Sequence, residues 1–145
     1  MLLEHVLYQA RVTATGGREG RAVSSDGVLE VRLTTPRALG GAGGRGTNSE
    51  QLFAAAYAAS FLQALQDVAA RDTLAMPPES AVECTVGVGT LAQGFGLEVE
   101  LRIALPGLAD RAAEALVHKA HAVCPYSNAT RDNMAVRLVL VSALA

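Results

Sequence analysis

Apolar positions along the chain switch between two periods, and the switches mark the elements. From Asn48 onward, Leu52, Phe53, Ala56, Tyr57, Ser60, Phe61, Ala64, Leu65 and Val68 recur every three or four residues, which predicts one long helix with Ser60 on its buried stripe. Thr47 or Asn48 offers a capping oxygen, and Glu50 and Gln51 fall in the first turn. The stretch from Asp72 to Ser80, with Pro77-Pro78, ends that helix. Val82, Cys84, Val86 and Val88 then alternate with Glu83, Thr85, Gly87 and Gly89 as a strand; Gln93-Gly94 turns the chain, and Leu97, Val99, Leu101 and Ile103 return it antiparallel. A second helix is expected from about Ala109 to Val123, with Leu116, Val117, Ala120, Val123 and Cys124 on one side and Pro125 opposing its continuation. Met134 to Val141 reads as a closing apolar strand. The first third also reads as strands: Glu4 to Thr13, then Arg21 to Ser24 joined to Val28 to Leu33 by a hairpin turn at Asp26-Gly27. Thr34 to Gly46 is a long loop rich in Gly, Pro, Arg and Thr, a length more often functional than idle. Strands, helix, strands, helix, strand is an α+β order, not that of a doubly wound parallel sheet.

Length and composition narrow the class. At 145 residues, half of them apolar, the chain can bury one good core and is expected to form a single domain over residues 1–145. Twelve basic against 14 acidic residues, with no block of like charge, argue against a nucleic-acid partner. Met1 to Tyr8 carries an acid early and lacks the basic flank of a secretory signal, and no apolar run is long enough for a bilayer, so no membrane partner is expected. Two cysteines, Cys84 and Cys124, are too few to staple a secreted scaffold; the expected compartment is the reducing cytoplasm, with thiol chemistry as the alternative to structural bonding.

Two segments carry the chemistry. One is Val123-Cys124-Pro125-Tyr126-Ser127-Asn128-Ala129-Thr130; the other runs Thr47-Asn48-Ser49-Glu50-Gln51-Leu52-Phe53 and on through Tyr57 to Ser60-Phe61. Together they resemble the paired signatures of the organic hydroperoxide resistance proteins, thiol peroxidases of the Ohr/OsmC family. The resemblance implies an antiparallel β-sheet packed with two main helices, assembled as an intertwined homodimer. It also implies reduction of organic hydroperoxides to alcohols, with dihydrolipoamide or a lipoylated protein as reductant and no bound cofactor. In that family the position of Ser60 holds the cysteine that attacks the peroxide, and Cys124 matches the cysteine that resolves it. Arg18, within Thr15-Gly16-Gly17-Arg18-Glu19-Gly20-Arg21-Ala22, and Glu50, within Thr-Asn-x-Glu-Gln, match the arginine and glutamate that organise the thiolate. Ser49 stands where the family usually has proline, a departure that a first-turn position tolerates.

The residue types suit the roles. A thiol peroxidase needs an ionised sulfur, a cation to keep it so, and a second thiol to resolve the sulfenic acid. A guanidinium fork serves thiolate and carboxylate alike, and the carboxylate fixes its orientation. Taken bare, Cys124 is a small buried apolar residue, and Arg18 and Glu50 are solvated charges. A serine at position 60 cannot climb the oxidation ladder, so this chain is expected to be inactive by the family route. Either the cysteine was replaced, or the chain is a natural non-peroxidatic relative that binds apolar small molecules. The joint presence of Arg18, Glu50 and Cys124 favours replacement. Glu50 and Ser60 are ten positions apart, roughly 15 Å along one continuous helix, so a composite site is expected, with Arg18 and Glu50 of one chain serving Ser60 and Cys124 of its two-fold mate, unless the helix begins after Glu50 and the loop folds back. Leu39, Phe53 and Phe61 are expected to give the site an oily lining suited to alkyl hydroperoxides and a lipoyl arm.

Other signals are weaker. Gly41-Ala42-Gly43-Gly44-Arg45-Gly46 fits the dinucleotide string G-x-G-x-x-G but follows a loop where a strand is required. Glu114, His118, His121 and Cys124 recur along one helix, a row that rarely closes a tetrahedron, so no metal is expected. Cys84, on the apolar face of a strand, reads as core. Ser60 inside a helix lacks the strand-to-helix elbow of a serine hydrolase.

Overall fold

The computed structural model describes residues 1–144, which form two compact units divided after Leu52. The first unit carries strands β1 (Val12–Thr15), β2 (Arg21–Ser24) and β3 (Glu30–Arg32), paired antiparallel in that order. The β2–β3 hairpin turns where Asp26-Gly27 predicts: the Gly27 N–H donates to the Ser24 carbonyl, and Asp26 Oδ1 accepts from the Ser24 hydroxyl and the Val28 N–H. Two expectations shift here. Residues 4–11 have no regular structure and are exposed, so the first strand begins at Val12; the last is three residues long instead of six. The long loop from Thr34 holds one short 3-10 turn, Arg37–Leu39.

Helix α1 (Ser49–Arg71) starts in the first unit and continues through the second. Asn48 caps it, its Oδ1 accepting the Gln51 N–H at 2.8 Å. Beyond it, β4 (Ala81–Thr90) and β5 (Phe95–Ala104) pair antiparallel over ten positions, from Ala81 opposite Ala104 to Thr90 opposite Phe95. Helices α2 (Asp110–Val123) and α3 (Pro125–Thr130) follow, and β6 (Val136–Val141) closes the sheet beside β5. The α+β class holds. One pairing departs from the all-antiparallel expectation: β6 lies parallel to β5, with Val99 opposite Val136. The physical reason is the connection, since α2 and α3 carry the chain back across the sheet before β6 begins, and a parallel neighbour needs that kind of crossover.

The core of the second unit draws on every layer. Tyr57, Phe61 and Leu65 of α1, Leu101 and Ile103 of β5, and Leu116 and Ala120 of α2 are at most 2% exposed and form one cluster with Cys124. Each large side chain so buried contributes roughly 1.5–3 kcal/mol of transfer free energy, which is why aliphatic packing suffices without tryptophan. Among the described residues no helix is long and apolar enough to cross a membrane.

Candidate functional site

In the first unit the decisive element is the tight connection from β1 to β2. Gly16 sits at φ 75° and opens a 3-10 turn, Gly17–Glu19. At Gly20 a Cβ would fall 1.6 Å from the Thr15 carbonyl oxygen, so only glycine lets the chain fold this closely on itself. The turn presents Arg18. Its Nη1 and Nη2 donate to Glu50 Oε2 and Oε1 at 2.9 and 2.8 Å, a two-pronged ion pair. Glu19 braces the same loop by accepting the Thr35 N–H at 3.1 Å. The hydrogen bonds from Arg18 hold the Glu50 carboxyl below the usual carboxylate range, against an opposing effect of its partial burial. The same bonds and the Glu50 charge raise the pKa of Arg18 further. At neutral pH the pair is fully ionised, and with 43% of its side chain exposed Arg18 keeps guanidinium surface for a second anion.

In the second unit Ser60 lies in α1, between Tyr57 and Phe61 of the buried stripe and itself half-buried. The sequence places Ser60 on the buried stripe; the structure puts it at the edge of that stripe, where it opens onto a cavity of about 290 Å³. Gln63, Ala64, Asp67 and Arg71 line it from α1, and Val123 and Pro125 line it from the other side. Those last two residues flank Cys124. The thiol of Cys124 is fully buried, in the cluster that holds Tyr57, Phe61 and Ala64, the residues around Ser60 on its helix. Thus the serine and the residues flanking the cysteine line one cavity. The cavity is more polar than the oily lining expected. Gln63 donates to Asp67 at 2.8 Å across its α1 side, and Phe61 is sealed in the core and unavailable to a ligand.

Cys124 is a joint between two helices. It closes α2, with its N–H donating to the Ala120 carbonyl, and it precedes α3, with its carbonyl accepting the Asn128 N–H at 2.9 Å. Pro125 is the first residue of α3, where a missing N–H costs nothing and the fixed φ suits a helix start. The sequence shows proline as a stop and gives no sign of α3, the helix that it starts. Also unforeseen is a buried set of hydroxyls. Tyr57 Oη shares hydrogen bonds with Ser127 Oγ at 2.8 Å and Thr130 Oγ1 at 3.3 Å, and none of the three residues is more than 4% exposed. The available signal was a tyrosine on a buried helical stripe, whose hydroxyl must find a partner.

Cys84 packs partly buried against the core opposite Leu101, and burial pushes its thiol up to about 11, so it stays protonated and unreactive. His121 has its Nδ1 buried without a partner among the described residues, and burial above all, then the charges of Arg131 and His118, lowers its pKa. Among the described residues no three His, Cys, Asp or Glu side chains are grouped to hold a metal ion.

Comparison with known proteins places these observations. The family model described as "OsmC-like protein" matches residues 41–139. An organic hydroperoxide resistance protein of Xanthomonas axonopodis pv. citri is 61% identical over 137 residues, covering 94% of this chain and 96% of the relative. The crystal structure of an organic hydroperoxide resistance protein from Legionella pneumophila superposes with a TM-score of 0.89 at 44% identity, covering 94% of this chain and 98% of that one. That of OhrB from Bacillus subtilis superposes at 0.86 and 43% identity, covering 94% and 100%. In sequence and in fold alike, the chain belongs to the OsmC/Ohr family.

Proposed function

We propose that this chain is built as an organic hydroperoxide reductase whose nucleophile position is occupied by Ser60, and that it does not turn over peroxide as it stands. The observation that carries the reading is the cavity lined by Ser60, Val123 and Pro125, with Cys124 in the same buried cluster as Tyr57, Phe61 and Ala64 of α1. With sulfur at position 60, a thiolate attacks one peroxide oxygen, the O–O bond breaks, and the alkoxide leaves as alcohol on taking a proton. The sulfur, oxidised by two electrons, becomes a sulfenic acid. The Cys124 sulfur then attacks it, an S–S bond forms, the S–O bond breaks, and water leaves. A dihydrolipoyl dithiol reduces the disulfide by two exchanges and is itself oxidised to its cyclic disulfide.

Arg18 and Glu50 are the groups proposed to hold the thiolate ionised, the arginine by its free guanidinium surface and the glutamate by fixing the fork. Both Glu50 and Ser60 lie in the unbroken helix Ser49–Arg71, which supports a composite site in a homodimer. The match to the family model crosses the division after Leu52, which supports treating residues 1–145 as one functional domain. The proposed compartment is the cytoplasm, where a dithiol pool regenerates the pair.

Ser60→Cys tests the reading. The restored chain is expected to consume an organic hydroperoxide with a lipoyl dithiol as reductant, while the Ser60 chain does not. A second reading, a binding protein for apolar small molecules, is favoured by the absence of a thiol at position 60. It predicts ligand binding with no turnover in the Ser60→Cys chain, and that outcome would displace the peroxidase reading.

A further inference from the structure

α3 is six residues long, far below the length at which a helix holds itself together in water. Local bonds close its end: Thr130 Oγ1 donates back to the Tyr126 carbonyl at 3.0 Å, the Arg131 N–H caps the Ser127 carbonyl, and the Arg131 side chain donates to Asn128 Oδ1 at 2.6 Å and to the His121 carbonyl of α2. Against α1 it is held by Tyr57 together with Phe53. The Tyr57 ring packs against Tyr126 at a tilt of 38° with centroids 5.8 Å apart, and Phe53, one turn earlier, meets both rings edge-on at 6.4 and 6.3 Å. Those contacts would serve equally well with a phenylalanine at position 57. The hydroxyl adds something the rings do not: a directional bond to Ser127 and a longer one to Thr130 in a site without water access.

The consequence bears on Cys124. It is the residue immediately before α3, and its carbonyl is bonded into the first turn, so the direction of its Cβ is set by where α3 sits. A disulfide tolerates little error, since the Cβ atoms must come within about 3.5–4.5 Å. Position 60 is three residues beyond Tyr57 on the same helix, about 4.5 Å along the axis and on the same side. The tether is thus one turn from the sulfur that Cys124 must meet.

We propose that Tyr57 is a positioning residue: its hydroxyl, bonded to Ser127 and Thr130, locks α3 to α1 and thereby sets the reach of Cys124 toward position 60. The inference rests on the peroxidase reading above. Tyr57 touches neither peroxide nor reductant in this scheme; it governs the resolving step alone.

The test uses the full chain carrying Ser60→Cys, alone and combined with Tyr57→Phe, which keeps the ring and deletes the hydroxyl. Stopped-flow oxidation by cumene hydroperoxide gives the rate of the first step, and quenched samples analysed by intact mass separate disulfide (loss of 2 Da) from sulfinic acid (gain of 32 Da). Tyr57→Phe is expected to leave the first step within about twofold and to slow disulfide closure about tenfold, the worth of one well-made buried hydrogen bond. The sulfinic fraction rises with peroxide concentration as the stalled sulfenic acid is oxidised again. Ser127→Ala removes the same bond from the other side and carries the same expectation should Tyr57→Phe fold poorly. Unchanged closure and an unchanged sulfinic fraction in a folded variant overturn this inference alone. A parent Ser60→Cys chain that leaves peroxide untouched overturns the peroxidase reading and the inference with it.

Discussion

The Arg18–Glu50 pair and the Tyr57–Ser127–Thr130 set are opposite solutions to holding a side chain in place. The first is charged, two-pronged and 43% exposed on its arginine side; the second is neutral and sealed in the core. An exposed ion pair stabilises a fold by no more than about 1 kcal/mol, because water screens it and two long side chains must be ordered. A buried hydroxyl stripped of its partner costs about 1–3 kcal/mol, because no water replaces the bond. The difference teaches where each belongs: the buried set builds the frame, while the exposed pair adds little to stability and leaves the arginine partly open to solvent, as the proposed role requires.

Substitutions can break that comparison. The largest effect is expected at Tyr57→Ala, which empties a core site and should lower unfolding free energy by about 3–5 kcal/mol in urea denaturation. Gly20→Ala should come next, since its methyl would overlap the Thr15 carbonyl; the β1–β2 connection must open, carrying Arg18 away from Glu50. The check is a double one, a fall in Tm together with loss of peroxide reactivity in the Ser60→Cys background. Arg18→Ala sharpens the contrast: below about 1 kcal/mol in stability, yet a slower first oxidation step in the Ser60→Cys chain, measured by stopped flow. A stability loss from Arg18→Ala as large as that from Tyr57→Phe would erase the distinction between frame and site.

Much of the frame is legible in the sequence because its elements are long. Ten-residue strands with clean alternation and a 23-residue helix with a capping Asn48 leave little choice. The parts that escape are short or depend on distant partners. Six residues cannot display a helical period, so α3 is invisible, and Pro125 reads as an ending although its place at the first helical position makes it a beginning. The direction of β6 depends on how α2 and α3 return the chain, which no pattern within Val136–Val141 encodes. The residue periods put Ser60 on the stripe, yet a helical stripe has an edge, and periodicity alone does not tell edge from centre. The four proposed site residues are legible only through the family resemblance, since as bare residues Arg18 and Glu50 are surface charges and Cys124 is core.

The smallest effect expected is on acid stability. The Glu50 pKa is depressed in the fold, so as pH falls the unfolded chain takes up its proton first. The contribution of the pair is therefore complete at neutral pH, declines once the pH enters the ordinary carboxylate range, and is gone below the folded-state value. Glu50→Gln should flatten that portion of the Tm-against-pH curve and leave the neutral Tm nearly unchanged.

The most direct measurement is peptide mapping of the Ser60→Cys chain after one equivalent of an organic hydroperoxide, with free thiols blocked before digestion. A disulfide joining the peptide that contains position 60 to the peptide that contains Cys124, with Cys84 blocked as a free thiol, is the predicted result. Recovery of Cys124 as a blocked free thiol after the introduced thiol has been oxidised would contradict it.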